Sequence, residues 1–306
     1  MSRRSSSRPG VLVMAYGTPS SLDEVEPYYI DIRGGKPPSP ELLEELKQRY
    51  RAIGGRSPLL EITQAQAAGI GDRLDMKAYV GQKHASPFIT DAVRAMTADG
   101  VELAAGLVMA PHFSYMSIGD YERRARDAAA AEGWAGELRM IDSWHLEDGF
   151  IDLLAARVTQ ALAELSDAAR DEAVVLFTAH SLPQRVADVG DPYPRQLQET
   201  ADAVGARAGL QRWQVAWQSA GRTQVPWIGP DVLEVLVDLA AKQVPGVVVC
   251  PCGFVADHLE VLYDIDIEAG ALADDLEIEL TRTASPNDDP RFLDVLAGVV
   301  GRALET

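Results

Sequence analysis

Cysteine is nearly absent: Cys250 and Cys252, one residue apart, are the only two in 306 residues. They are too close for an unstrained disulfide and too few for a four-ligand zinc or iron–sulfur site. Long apolar runs are missing too, none approaching the roughly 20 residues that span a bilayer. Basic residues are scarce, 28 Lys and Arg against 46 Asp and Glu, for a net charge of −18. A surface that acidic repels phosphate backbones and anionic lipid heads, which excludes a general nucleic-acid or membrane-surface role. The start, MSRRSSSRPG, is basic and small-residue-rich with no apolar stretch behind it. It reads as a solvated tail over 1–10 rather than a signal peptide, and a cytoplasmic setting is expected. Nucleotide loops are lacking: no G-x-G-x-x-G follows the first apolar run, and G-x-x-x-x-G-K-[S/T] occurs nowhere. Without a G-x-S-x-G elbow, Ser181 is a poor hydrolase nucleophile.

What the chain does hold is apolar sequence in short pieces, 47% of all residues, enough for a sizeable core. The runs are 11–16, 76–80, 103–110, 138–141, 173–178, 214–217, 246–250 and 277–281. Continuous apolar character with helical patterns between predicts parallel strands covered on both faces. Ser39-Pro40-Glu41 opens a helix over 40–52, Gly229-Pro230-Asp231 one over 230–242, and Pro290 a last one. The eight strands fall into two sets of four. Ala15-Tyr16-Gly17-Thr18-Pro19 ends the first strand of one set and Ala179-His180-Ser181-Leu182-Pro183 that of the other, the mark of an internal repeat. The expected fold is α/β: two similar Rossmann-like lobes, each a four-stranded parallel sheet flanked by helices, with the active-site cleft between them. The expected division is 11–155 for the first lobe, with an insert at about 18–75, then 156–287 for the second, and a separate C-terminal helix at 288–306.

Ligands of open α/β sheets sit outside the carboxyl ends of the strands. Four of the five histidines lie at such ends, and His258 is close behind one. His180, directly after an apolar run, suits proton transfer or metal binding; a hydrogen-bonded core histidine is the bland alternative. Glu260, Asp264 and Glu268 are spaced i, i+4, i+8, one face of a helix. Stacked carboxylates repel unless they are solvated or hold a hydrated divalent cation. Residues 33–56 carry six basic and three acidic residues, a locally positive patch for an anion or an ordinary salt-bridged helix face.

Motifs in consistent order from about residue 10 to the C-terminus resemble ferrochelatase, in its soluble coproporphyrin-type branch. They include VLVMAYGTP, YYIDIRGGKPP, LKQRYRAIGGRSPL, KAYVGQKH, APHFS, TAHSLP, GDPYPRQLQETA, WQSAGRT, PWIGPDV and GFVADHLEVLYDID. A protoporphyrin-type member would carry an Asn-containing strand end at 14–19 and a membrane-associating segment, and neither appears. The resemblance implies chelatase-like lobes and insertion of ferrous iron into coproporphyrin III, giving coprohaem in haem biosynthesis with release of two protons. By motif it carries over His180 and Glu260 as the catalytic and metal-handling pair, and Tyr16 as a ligand of the product iron. It also implies that Arg33, Arg49, Tyr50, Ser57 and Tyr121 hold the macrocycle and its propionates. Gly34 stands where a second arginine often follows Arg33, and Gln224 replaces a more usual Pro or Asp, which bears on propionate binding. No permanent cofactor and no iron–sulfur cluster are expected; ferrous iron is a substrate. Magnesium is a candidate occupant of a secondary divalent site at Asp264 and Glu268. The implied partners are coproporphyrin III, ferrous iron and a downstream coprohaem decarboxylase, for a monomer that binds neither nucleic acid nor membrane. The rival readings are a protoporphyrin IX or other tetrapyrrole chelatase, and a non-catalytic haem or metal carrier.

Overall fold

The computed structural model describes residues 8–221 and 223–305; residues 1–7 of the expected tail and Arg222 of the GRT loop lie outside the described residues. Two units form. One comprises the chain up to Ala110, Tyr115–Trp144 and the chain from Asn287; the other comprises Pro111–Ser114 and His145–Pro286. The first holds β1 (Pro9–Ala15), β2 (Lys77–Gln82), β3 (Leu103–Val108) and β4 (Glu137–Met140) in the order β2-β1-β3-β4. The second holds β5 (Val174–His180), β6 (Trp213–Gln218), β7 (Gly246–Cys250) and β8 (Glu279–Arg282) in the order β6-β5-β7-β8. Every pairing is parallel, so both units have one topology, as the repeat predicts. Each apolar run falls on a strand. The central strands are buried along nearly their whole length, which is why they read as unbroken apolar sequence and not as alternation.

In the first unit the helices are α1 (Val25–Ile32), α2 (Pro40–Ala52), α3 (Leu59–Leu74), α4 (Ile89–Ala98) and α5 (Ile118–Ala131). The second has α6 (Asp148–Glu164), α7 (Asp167–Asp171), α8 (Arg185–Asp188), α9 (Tyr193–Ala208), α10 (Val232–Ala241), α11 (Leu259–Leu262) and α12 (Gly270–Asp275). The last helix, α13 (Pro290–Glu305), returns to the first unit. α2 begins where expected: Pro40 fills the first position and Ser39 Oγ accepts from the Leu42 amide at 3.3 Å. α10 begins two residues later than expected. Asp231 caps it, accepting from Leu233 N at 2.9 Å, and Glu234 reaches back to Asp231 N at 3.1 Å.

The boundaries differ from the expected ones in three places. Pro9 and Gly10, placed in the tail, already belong to β1. The units divide at 144/145, not 155/156, because α6 buries Phe150, Leu153, Leu154 and Val158 against α9 and β7 of the second unit. α13 is no separate appendage: it packs on α3 and β3, its Phe292 ring lies 5.7 Å from Trp144, and Arg73 Nε donates to Asp294 Oδ1 at 2.6 Å. Within the expected 18–75 insert, α3 lies on β1 and β2 as α9 lies on β5 and β6. Only the stretch carrying α1 and α2 lacks a counterpart in the second unit.

Candidate active site

In the second unit β5 has β6 on one side and β7 on the other, so the direction of winding reverses at the β5–β7 edge, where such sheets bind ligands. β5 ends in His180. β7 runs into the loop 251–258, which passes tightly over the end of β5: Gly253 N donates to Thr178 O at 3.0 Å. A Cβ on Gly253 would stand 2.4 Å from Ala179 Cβ and 2.8 Å from its Cα, so this passage needs glycine. It delivers His258 and Glu260 to His180. Glu260 Oε1 lies 3.6 Å from His180 Nε2, and its Oε2 lies 3.7 Å from His258 Nε2. Each imidazole has Nδ1 on a main-chain carbonyl, Ser181 O for His180 and Ala256 O at 2.9 Å for His258. A carbonyl only accepts, which assigns the proton to Nδ1 and, in the neutral ring, leaves the Nε2 lone pair facing Glu260. The side chains of His180 and Glu260 are about one-third exposed, so a ligand can reach them.

Beyond Glu260 the expected straight stripe breaks. α11 ends at Leu262 and the chain continues through a π turn, Asp264–Ala269, in which Glu268 N donates to Tyr263 O at 2.9 Å, five residues back. Glu260, Asp264 and Glu268 are therefore not three steps of one α-helix. Asp264 is buried and accepts from the Ser219 hydroxyl. Ser219 adopts φ +60°, a left-handed conformation uncommon for serine, at the end of β6. Glu268 is half-buried and contributes, after burial and Glu234, to a carboxyl pKa at Asp231 above the ordinary value. A fully solvated acidic face is thus excluded at Asp264. Among the described residues no three His, Cys, Asp or Glu side chains are grouped as a ready metal site.

In the first unit Tyr16 follows β1 directly and is 42% exposed. Gly17 makes the turn at φ +101°, where a Cβ would approach Ala85 N to 3.0 Å. The Tyr16 ring lies 4.7 Å from that of His84. Lys83 Nζ stands 6.0 Å from the Tyr16 ring and 5.3 Å from that of buried Tyr121, and pairs with Asp120 Oδ2 at 2.6 Å. Burial acts to raise the Asp120 carboxyl, but Lys83, Arg123 and Arg124 outweigh it and hold the group below the usual carboxylate range. Burial lowers the His84 pKa and prevails over Asp31, whose carboxylate accepts from its Nδ1 at 2.6 Å. Tyr50 is buried, its hydroxyl 3.2 Å from Thr18 Oγ1, and Ser57 accepts from Leu59 N. Arg49 is partly covered, 3.9 Å from Glu45, whereas Arg33 is exposed with its guanidinium 5.6 Å over Tyr29. Arg51 pairs with Glu44 and Arg56 with Glu61, so part of the basic patch is an ordinary salt-bridged face.

Two other strand-end histidines are enclosed rather than open to a ligand. His112 and His145 are buried in the second unit, with Nε2 at 2.9 Å from Thr200 Oγ1 and Glu199 Oε2 respectively. Burial, helped by His145, pulls the His112 pKa down to about 3. Sequence reasoning gave no role to His258, although the DHLE tetrapeptide sets an imidazole two residues from Glu260, or to Lys83.

The ferrochelatase family model matches residues 8–304. The chain belongs to the ferrochelatase family. It is 46% identical over 303 residues to the coproporphyrin III ferrochelatase of Halalkalibacterium halodurans, covering 96% of this chain and 97% of that one. It is 44% identical to the Bacillus subtilis coproporphyrin III ferrochelatase, covering 99% of both, and 45% identical to a Herpetosiphon aurantiacus ferrochelatase, covering 96% and 99%. The sirohydrochlorin chelatase SirB of Bacillus subtilis subspecies spizizenii, solved with cobalt, superposes with a TM-score of 0.61 at 12% identity, covering 97% and 96%. At that identity the ferrochelatase shares with SirB the fold alone.

Proposed function

We propose that this ferrochelatase-family enzyme inserts ferrous iron into coproporphyrin III, with His180, Glu260 and His258 forming the insertion centre. The observation that carries the reading is one carboxylate flanked by two imidazole Nε2 atoms, each ring fixed through Nδ1 by a carbonyl. Metallation displaces two pyrrole N–H protons, so basic groups must lie near the ring centre. His180 Nε2 takes a proton or passes the metal, and Glu260 balances the charge and shares the proton with His258. Tyr16 ligates the product iron through its phenol oxygen. Arg33, Arg49, Tyr50, Ser57 and Tyr121 hold the macrocycle and its propionates, to which exposed Arg33 offers a planar fork.

Asp264 and Glu268 attract a hydrated divalent cation, magnesium or incoming iron, through oxygen ligands and retained water. An iron–sulfur cluster has no part in this reading, because two cysteines supply only half of a four-thiolate ligand set. The enzyme acts as a monomer in the cytoplasm and hands coprohaem to a decarboxylase; among the described residues no helix is long and apolar enough to cross a membrane. Anaerobic insertion assays with coproporphyrin III and protoporphyrin IX side by side test the substrate. A higher kcat/KM with coproporphyrin is expected, and equal or better turnover of protoporphyrin in detergent-free buffer overturns the preference.

A further inference from the structure

Asp257 and Asp266 bracket the ten-residue stretch that carries His258, Glu260 and Asp264, and one side chain holds both. Arg282 ends β8, in register with Val249 of β7, and its side chain is only 16% exposed. Its Nε and Nη2 donate to Asp266 Oδ1 and Oδ2 at 2.5 and 2.9 Å. Its Nη1 donates to Thr283 O at 3.0 Å and lies 3.4 Å from Asp257 Oδ1. Ser285 Oγ donates to that same Asp257 oxygen at 2.7 Å. Asp266 lies within the π turn, whose i→i+5 bonding is rare and tends to mark functional sites. Asp257 immediately precedes His258. The two carboxylates therefore fix the entry and the wide turn of the segment, and a planar fork with five donors meets both, which a lysine ammonium cannot do. Burial opposes the Arg282 charge, but Asp266 and Asp257 outweigh it, leaving its pKa above the ordinary value.

We propose that Arg282 is a positioning residue for metal insertion, tying Asp257 to Asp266 so that His258 and Glu260 keep their spacing from His180. The proposal rests on the reading of His180 and Glu260 as the insertion centre. Removing the charge strands two carboxylates in a partly buried place and threatens folding, so Arg282→Lys is the main variant, with Asp257→Asn and Asp266→Asn beside it. Fe²⁺ and coproporphyrin III are titrated separately under anaerobic conditions, and porphyrin binding is followed by its absorption shift. Because misplacing a reacting group by about 1 Å can cost on the order of 10²-fold, Arg282→Lys is expected to lose about 10- to 100-fold in kcat/KM for the metal. Its KM for coproporphyrin stays within about twofold, since the porphyrin anchors are other residues. Adding Asp266→Asn to Arg282→Lys costs little more than the worse single change, as for partners in one network. Wild-type kinetics in Arg282→Lys, or metal and porphyrin parameters falling together with thermal stability, overturns the proposal. Loss in Arg282→Lys with full turnover in His180→Ala sinks the reading of the centre instead, and the reverse pattern sinks the positioning role alone.

Discussion

Replacing His112 with glutamine removes an imidazole that the fold keeps uncharged, and the consequence appears on the acid limb of the stability curve. His112 is 1% exposed, donates from Nε2 to Thr200 and has its pKa lowered from 6.5 to about 3, by burial first and by His145 second. Below pH 6.5 the unfolded chain takes up a proton there that the native state refuses until about pH 3. The stability that the neutral His112 contributes is therefore complete above pH 6.5 and is lost as the pH falls through that window. At about pH 5 the gap from 6.5 is roughly 1.5 units, worth about 2 kcal/mol at ~1.4 kcal/mol per unit. Glutamine keeps an N–H for Thr200 but does not titrate. The variant loses some packing at all pH values, so the informative quantity is the difference between the two proteins. That difference should narrow by about 2 kcal/mol between pH 7.5 and pH 5 in urea denaturation followed by tryptophan fluorescence. An equal difference at both pH values would refute the reasoning, because His112 would then titrate alike in native and unfolded chains.

His180→Ala should lower insertion by about 10²-fold or more, in the range for a lost general base, while porphyrin absorption titrations remain as in wild type; near-normal turnover would remove His180 from the reaction. Tyr16→Phe should alter the absorption spectrum of bound product more than the insertion rate, and an unchanged spectrum would take the phenol out of the iron's coordination. The Asp264→Asn, Glu268→Gln double variant should raise the apparent KM for metal with porphyrin affinity constant; superimposable metal titrations would show that the two carboxylates have no role in delivery.

Both sheets could be read from apolar runs because their central strands are buried along nearly their whole length and so advertise themselves without alternation. Helix starts were legible where a single residue sets them, as Pro40 and Pro290 do, and were misplaced at Pro230 because the Asp231–Glu234 capping box decides the start of α10. The π turn leaves no trace in residue spacing, so the acidic row looked straight. His112, His145 and His180 all follow short apolar stretches and look alike in one dimension. Only the third dimension separates the two enclosed by Thr200 and Glu199 from the one that meets Glu260. Which unit owns α13 was likewise invisible, since its apolar stripe names no partner.

The return of α13 to the first unit has a consequence during synthesis. Val158 and Phe177 of the second unit leave the ribosome well before Phe292, Leu296 and Val300, which cover α3 and β3. The N-terminal lobe, translated first, therefore lacks part of its core until the sixteen residues of α13 emerge, whereas the lobe translated second already has all of its chain. A chain released after Asp289 would carry all of the C-terminal unit and an N-terminal unit that lacks α13, so loss of the extreme C-terminal helix opens the half of the protein that is farthest from it in sequence.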